Sequence, residues 1–250
     1  MLYNYHTHTY RCNHAIGTEK EYVEEGIRRG LKILGFSDHA PYLFPDEHYS
    51  SWRMQKEELF DYAETVRALA KEYEKDIRIL LGFELEYYPD WHENEIKFLK
   101  QVSPDYLILG QHCTGNEERG VFSREDPPSK LKDYVSQTLA GLATGDFLYL
   151  AHPDLPGYKY DEEEIEREYT RLCIGAKEMN IPLELNLLGV RSGRHYPDER
   201  FYKIAKQVGN RIVLGTDAHE LRHTVDTPSE EIALHMVEKL GLDLIQTPLL

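Results

Sequence analysis

Seven short apolar runs alternate with helix-like segments along this chain, and this alternation limits how it can fold more than any other feature of the sequence. Each run has 4–7 residues rich in Leu, Ile, Val and aromatic side chains, a length that favours buried strands over buried helices. The runs are residues 2–5, 33–36, 77–83, 106–109, 147–151, 183–188 and 211–214. Strands that alternate with helices predict an α/β fold built on a parallel sheet. For 250 residues, a closed or nearly closed barrel is the preferred prediction, and a doubly wound open sheet is the alternative.

The segments between the runs carry helix signals. Thr18 and Glu21 form a capping-box pattern at the start of one such segment. Apolar residues spaced three and four apart predict further helices over residues 55–75, 129–144 and 161–179. Near the end, Thr227 before Pro228 has the pattern of an N-cap followed by proline at the first helical position. No linker or shift of composition divides the chain, so one domain over residues 1–250 is predicted.

Polar residues of one chemical kind follow the predicted strands. The parallel strands of a barrel end at one rim, where active sites are built, so side chains far apart in sequence are expected to converge there. The residues in question are His6, His8, Asp38, His39, Glu84, Glu86, His112, His152, Asp154, Asn186, Asp217 and His219.

Imidazole and carboxylate groups in this pattern predict a metal centre, since both are ligands of Zn, Fe and Mn ions. His6 and His8 lie two apart on a strand end, point the same way and can chelate one ion, and Asp217 and His219 repeat that spacing. Glu84 can place one carboxylate oxygen on each of two ions. A lone histidine on a strand is more often an ordinary core residue, but the same chemistry recurs here after six of seven strands.

Other histidines, one glutamate and two cysteines fit this pattern less closely. His14, in the first loop, is a further ligand candidate. Glu86 is expected either to support a ligand or to be a solvated acid. Cys12 and Cys113 flank candidate ligands but are interpreted as small buried residues. His92 and His235 lie in helical segments and are predicted to be exposed there.

The charge and cysteine content narrow the choice of partners. With 29 basic and 44 acidic residues the net charge is −15, which argues against non-specific binding of nucleic acid or an anionic membrane. Three scattered cysteines, no secretory signal and no membrane-length apolar run together predict a cytoplasmic protein. The oligomeric state cannot be read from the sequence.

At these residues the sequence resembles the polymerase-and-histidinol-phosphatase (PHP) family of metal-dependent phosphoesterases, and within it the histidinol-phosphatase type. The resemblance spans essentially the whole chain. It is carried by His6-Thr7-His8-Thr9 with His14-Ala15, Gly35 to Pro41, Arg53-Met54, Gly82 to Tyr87, Gln111-His112, Ala151 to Asp154, Glu184 to Asn186 and Gly215 to His219.

The resemblance implies a distorted (β/α)7 TIM-like barrel that holds two to three divalent ions, Zn, Fe or Mn, at the C-terminal ends of its strands. One ion would be bound by His6, His8, Glu84 and Asp217. A second would share Glu84 and add His112 and His152, and a third would use His14, His39 and His219. One departure from the family is Asn4, where many members have an acidic residue.

The implied reaction is hydrolysis of a phosphate monoester, most specifically L-histidinol phosphate in histidine biosynthesis, by water activated between metal ions. Glu84 would act as bridging ligand, and a metal-bound water, Asp154 or His48 would supply a proton to the leaving group. Arg191 and Arg194 would bind the phosphate of this small metabolite. The alternatives are a nuclease or another phosphoesterase of the same family, a non-catalytic metal-binding module, and a barrel whose histidines are incidental.

Overall fold

The computed structural model describes residues 1–45, 48–118, 120–122, 131–156 and 160–250. By their internal contacts the residues form two compact units, which are described in turn. The first unit comprises Met1–Leu85, Asp90–Ile108 and Gly215–Thr227. The second comprises Glu86–Pro89, Leu109–Leu214 and Pro228–Leu250.

The first unit is built on a sheet whose strands follow sequence order. The strands are β1 (Tyr3–Asn4), β2 (Ile33–Phe36), β3 (Arg78–Leu85) and β4 (Tyr106–Leu109). β1 pairs with β2, and β2 with β3, in parallel. β2 is buried along its whole length, as the continuous apolar run predicted for a strand covered on both faces.

Three helices belong to this unit, and their ends follow from local sequence. They are α1 (Glu19–Arg28), α2 (Leu59–Glu72) and α3 (His92–Leu99). The predicted capping box before α1 is present, with Thr18 and Glu21 exchanging side-chain and backbone hydrogen bonds. α2 buries the apolar stripe found in the sequence and follows a short 3-10 turn.

Tyr106 fixes the ends of β1 and β2. Its hydroxyl lies 2.8 Å from the carbonyl oxygen of Tyr5 and 2.9 Å from that of Phe36. The ring occupies space that only glycine leaves free, because a Cβ at Gly35 would lie 2.3 Å, and one at Gly82 2.5 Å, from the tyrosine side chain. The two glycines therefore allow one side chain to clamp the backbone next to the predicted ligands.

The second unit contains a short antiparallel ladder and a separate sheet with a parallel pair of strands. A two-stranded antiparallel ladder joins β5 (Cys113–Thr114) and β6 (Val121–Phe122). A second sheet holds β7 (Leu183–Asn186), β8 (Arg211–Gly215) and β9 (Asp243–Leu244), with β8 and β9 parallel. The helices are α4 (Leu131–Leu142), α5 (Glu162–Glu178), α6 (Leu187–Arg191), α7 (Glu199–Val208) and α8 (Thr227–Leu240).

The structure departs from the sequence expectations at several places. The run 147–151 gives only a bridge residue, Leu150, paired in parallel with Leu109 and Leu183. The predicted strand 183–188 stops at Asn186, whose side chain caps α6 by accepting from the Gly189 N–H. Thr227 is the first residue of α8 and not its N-cap.

Two further points concern helices. His92 is buried at 7 % exposure, so the prediction of an exposed position was wrong, whereas His235 is exposed as expected. The start of the helix predicted over 129–144 lies outside the described residues, and α4 covers the rest. Among the helices described, none has the length and apolar character needed to span a membrane.

Candidate metal centre

Seven of the nine predicted ligands belong to the first unit. Glu84 lies inside β3, one residue before its end, and the other six follow a strand or lie in the loop after it, as the alternating pattern predicts. These residues are His6, His8, His14, His39, Glu84, Asp217 and His219.

Asn4 joins the two segments that carry four of these residues. Its side-chain oxygen accepts from the backbone N–H groups of His6 and Thr216, each at 3.2 Å. Its amide nitrogen donates to the hydroxyls of Thr7 at 2.8 Å and Thr216 at 2.6 Å. The side chain is fully buried, so asparagine at this position makes these hydrogen bonds inside the protein, away from water.

Four side chains converge into one cluster of candidate ligand atoms. The Nε2 atoms of His6 and His8 lie 3.1 Å apart, and each lies 3.3–3.7 Å from Glu84 Oε2 and Asp217 Oδ1. Ligands about 2.1 Å from a tetrahedral ion are about 3.4 Å from one another. The spacing of these atoms therefore fits a divalent metal, and all four residues are buried.

His14 and His219 form a second feature. His14 Nδ1 lies 2.7 Å from the Cys12 carbonyl oxygen, and His219 Nδ1 lies 3.1 Å from the Asp217 carbonyl oxygen. A carbonyl can only accept, so both Nδ1 atoms carry hydrogen, and in the neutral form of each ring Nε2 presents a lone pair. The two Nε2 atoms are nevertheless 3.0 Å apart, an arrangement that suits a bound cation.

His39 links these two features. Its Nδ1 lies 3.0 Å from Glu84 Oε2, and its ring centroid lies 4.5 Å from that of His8. His8, His39 and His219 each offer a nitrogen within 4.8 Å of the other two, and so could hold an ion. Glu84 Oε2 thus lies within 3.6 Å of a nitrogen of each of His6, His8 and His39.

The charges of the cluster suit metal binding. Burial and the neighbouring His219 lower the pKa of His8 to about 3, so its imidazole is neutral at pH 7. Burial opposes ionisation of Asp217, but the adjacent imidazoles of His6, His219 and His8 outweigh it and hold the pKa of this carboxyl well below its usual range. Neutral imidazole and ionised carboxylate are the forms that coordinate metals.

The backbone at two predicted ligands is strained. Asp217 has φ 47° and His152 has φ 59°, in the left-handed region that residues with a Cβ rarely adopt. Such outliers cluster at functional sites, where the surrounding structure holds them in place.

The remaining two predicted ligands lie in the second unit with Glu86. His112 Nδ1 is 2.7 Å from Glu86 Oε1, and the His112 and His152 rings have centroids 4.8 Å apart. Glu86 is buried, so of the two readings left open by the sequence, support of a ligand is the one that fits. The bridging of Glu84 to His112 and His152 stays a prediction.

The candidate proton donors lie in different surroundings. Asp154 is fully buried, and burial raises its pKa to about 7 despite a hydrogen bond from the Asp198 N–H. Its Oδ1 has no hydrogen-bond partner within the described chain. His48 packs edge-on against Phe44, with ring centroids 4.6 Å apart, and its role as a proton donor stays a prediction.

The two candidate phosphate-binding arginines lie at and beyond the end of α6. Arg191 is half-buried, and Arg194 is exposed with its Nη1 at 2.5 Å from the Tyr196 hydroxyl. Their role in binding an anion stays a prediction.

Two residues near the cluster have no functional role in the sequence-based prediction. Asp38 is buried behind His8, accepts from the Thr9 N–H and hydroxyl, and has a pKa raised by burial to about 7. Cys12 was interpreted as a small buried residue, which it is, but its Sγ also lies within 4.8 Å of nitrogens of His14 and His219. Its position two residues before His14 was the available signal.

Comparisons with known proteins agree with this arrangement. The family model described as "PHP domain" matches residues 4–187. A "Probable histidinol-phosphatase" of Deinococcus radiodurans is 28% identical over 224 residues, which cover 86% of this chain and 85% of the relative. A "Probable phosphatase" of Clostridium acetobutylicum is 25% identical over 92% of this chain and 89% of its own length.

A solved structure has the same fold. The histidinol phosphate phosphatase of Lactococcus lactis, in complex with zinc, L-histidinol and phosphate, superposes with a TM-score of 0.75 at 20% identity, covering 97% of this chain and 95% of that one. The α/β, TIM-like fold class predicted from the sequence is thereby confirmed. The single-domain assignment over residues 1–250 stays a prediction.

Proposed function

Because the chain belongs to the PHP domain family, we propose that it is a metal-dependent phosphatase that hydrolyses phosphate monoesters. The observation that carries the proposal is the cluster of four side chains in which the Nε2 atoms of His6 and His8 lie 3.1–3.7 Å from each other, from Glu84 Oε2 and from Asp217 Oδ1. The names of similar proteins support a phosphatase, and two of them support histidinol phosphate as the substrate. We propose L-histidinol phosphate as the preferred substrate, in histidine biosynthesis.

The proposed cofactors are two to three divalent ions. Zinc is the first choice because the Lactococcus lactis structure contains it, and iron and manganese suit the same imidazole and carboxylate donors. Such ions lower the pKa of water toward neutrality and stabilise negative charge on a phosphoryl group. The residues proposed to hold them are the nine named from the sequence: His6, His8, His14, His39, Glu84, His112, His152, Asp217 and His219.

The chain's own residues would hold the ions, bind the phosphate and donate a proton. The buried carboxylates of Glu84 and Asp217 keep the ions in place, and the hydrogen bonds of Asn4 keep the segments of the site in register. Arg191 and Arg194 are proposed to bind the phosphate oxygens through paired N–H donors. Asp154 and His48 remain the candidates for donating a proton to the leaving alcohol oxygen.

The test is a comparison of substrates with metal analysis. Purified protein should contain divalent metal and release phosphate from L-histidinol phosphate faster than from p-nitrophenyl phosphate, and should leave single-stranded DNA intact. His6→Ala should remove activity, while His235→Ala, a change at an exposed helical histidine, should not. Metal-bound protein that releases no phosphate would identify a non-catalytic module, and cleavage of DNA would identify the nuclease alternative. The cytoplasmic location predicted from the sequence stays a proposal.

A further inference from the structure

Arg53 is a positively charged side chain that is buried near the candidate metal centre, and the proposed function assigns it no role. Only 1% of the residue is exposed. Its guanidinium carbon lies 4.0 Å from the centre of the Trp52 ring, 5.3 Å from that of Tyr42 and 6.0 Å from that of Phe44. Burying this charge is costly unless it is stacked and hydrogen-bonded, as it is here. The contacts that Arg53 makes inside the protein indicate a role for it.

Trp52 carries the contact from Arg53 to a candidate ligand. The indole meets the His39 ring edge-on, with centroids 5.0 Å apart and planes at 80°. The indole is thus held between the Arg53 guanidinium on one side and the His39 imidazole on another. A guanidinium is planar and stacks on aromatic faces, so it can fix the plane of the indole in a way that a lysine ammonium cannot.

The backbone around His39 is fixed by the same segment. The Met54 N–H donates to the His39 carbonyl oxygen at 3.3 Å, and Arg53 Nη1 donates to the next carbonyl, that of Ala40, at 3.0 Å. Residues 52–54 therefore contact the His39 ring, the His39 carbonyl and the carbonyl of the next residue, Ala40.

The segment also reaches the loop of a second ligand. The Asn13 side chain donates to the Arg53 carbonyl oxygen at 3.0 Å, and Asn13 directly precedes His14. Residues 52–54 thus connect the loops of His14 and His39, two members of the set proposed for one ion.

We infer that Trp52 and Arg53 are positioning residues that hold the His39 imidazole in the orientation needed to bind a divalent ion. The inference rests on the metal centre of the proposed function and adds to it two residues that are not ligands. Outer residues that orient metal ligands change metal affinity about 10- to 100-fold when they are removed.

The test uses the protein's small number of tryptophans. The chain has two, Trp52 and Trp91, so Trp91→Phe leaves Trp52, beside His39, as the sole tryptophan, which is excited selectively at wavelengths that tyrosine does not absorb. Metal-free Trp91→Phe protein is titrated with Co²⁺, following Trp52 emission and, by chelator competition, the affinity of each ion. Trp91 lies near Tyr42 and Phe44, so equal metal affinity of this variant and the wild type is checked first.

In this background Arg53→Met should weaken one ion by about 10- to 100-fold and move the change in Trp52 emission to correspondingly higher Co²⁺. Arg53→Lys, which keeps the charge without the planar stack, should give a smaller loss. Trp52→Phe in the wild-type chain should weaken the same ion. If Arg53→Met fails to fold, the latter two variants decide the question.

Two controls separate positioning from general stability. Lys20→Met removes an exposed cation from above the Tyr73 ring, and should leave metal affinity unchanged. Val66→Ala creates a cavity in the buried face of α2 and should lower the melting temperature without weakening any ion. Wild-type protein that binds no ion would contradict the proposed function itself. Wild-type protein that binds ions while the Arg53 and Trp52 variants bind them equally well would overturn this inference alone.

Discussion

The Nε2 atoms of His14 and His219 lie 3.0 Å apart while both rings use their Nδ1–H groups on backbone carbonyls. Two lone pairs that face each other at this distance repel, and a cation between them removes the repulsion. We therefore expect the stability of this part of the protein to depend on metal.

Removal of metal should therefore lower the stability of the protein, and His14→Ala should reduce the difference. An ion present at 100 times its dissociation constant adds about 2.7 kcal/mol to the free energy of unfolding. Thermal unfolding with and without a chelator measures this gain. His235→Ala, at an exposed position, should keep the full gain. Equal melting temperatures with and without chelator in the wild type would refute the dependence.

Asn4 provides a prediction about stability. Asn4→Leu leaves the buried N–H groups of His6 and Thr216 without their acceptor, and should cost about 2–4 kcal/mol. Asn4→Asp should cost less, because a carboxylate keeps the acceptor and the Thr7 hydroxyl can rotate to donate to it. Urea denaturation measures both, with Asn180→Asp at an exposed position as the control. The expectation fails if the aspartate variant is the less stable of the two.

Glu84→Ala tests the carboxylate that the sequence singles out for a bridging role. The variant should lose at least one equivalent of metal and at least about 100-fold in kcat, since even residues that only orient ligands cost 10- to 100-fold. Metal analysis and phosphate release give the two readings. Glu93→Ala on α3, whose carboxylate is 85% exposed, is the matched control. Full metal content with a near-normal rate would exclude the bridging role.

Arg191→Ala and Arg194→Ala test the predicted phosphate contacts. A lost charged hydrogen bond is worth about 1–3 kcal/mol, so KM for the phosphate ester should rise by about 5- to 150-fold. Steady-state kinetics against L-histidinol phosphate measures the change, and Arg28→Ala on α1, with its side chain 64% exposed, controls for loss of a positive charge. An unchanged KM in both variants would remove this loop from the substrate site.

Local signals in the sequence were sufficient for much of the fold. β2 and β4 have the predicted bounds because their apolar runs are short and end at polar residues. α1 begins as predicted because the capping box is a local interaction. The predicted ligands of the first unit lie close together, as expected for residues at the C-terminal ends of parallel strands, which meet at one edge.

The errors arise where tertiary contacts or very short elements decide. A run of leucines does not reveal that Asn186 ends a strand and caps a helix. The β5–β6 ladder has strands of two residues, too short for periodicity to detect. His92 is buried although it lies in a helix, and the Trp52–Arg53 contact to His39 joins residues whose pairing no local pattern encodes.

The hydrogen bonds between Asn4 and Thr216 join residues 212 positions apart. At a translation rate of 5–20 residues per second, the first pair of histidines leaves the ribosome about 10 to 40 s before the segment that completes their surroundings. During that interval the growing chain carries isolated metal-binding side chains and no finished site. We therefore expect the site to acquire its ions only after the segment around Thr216 has been synthesised.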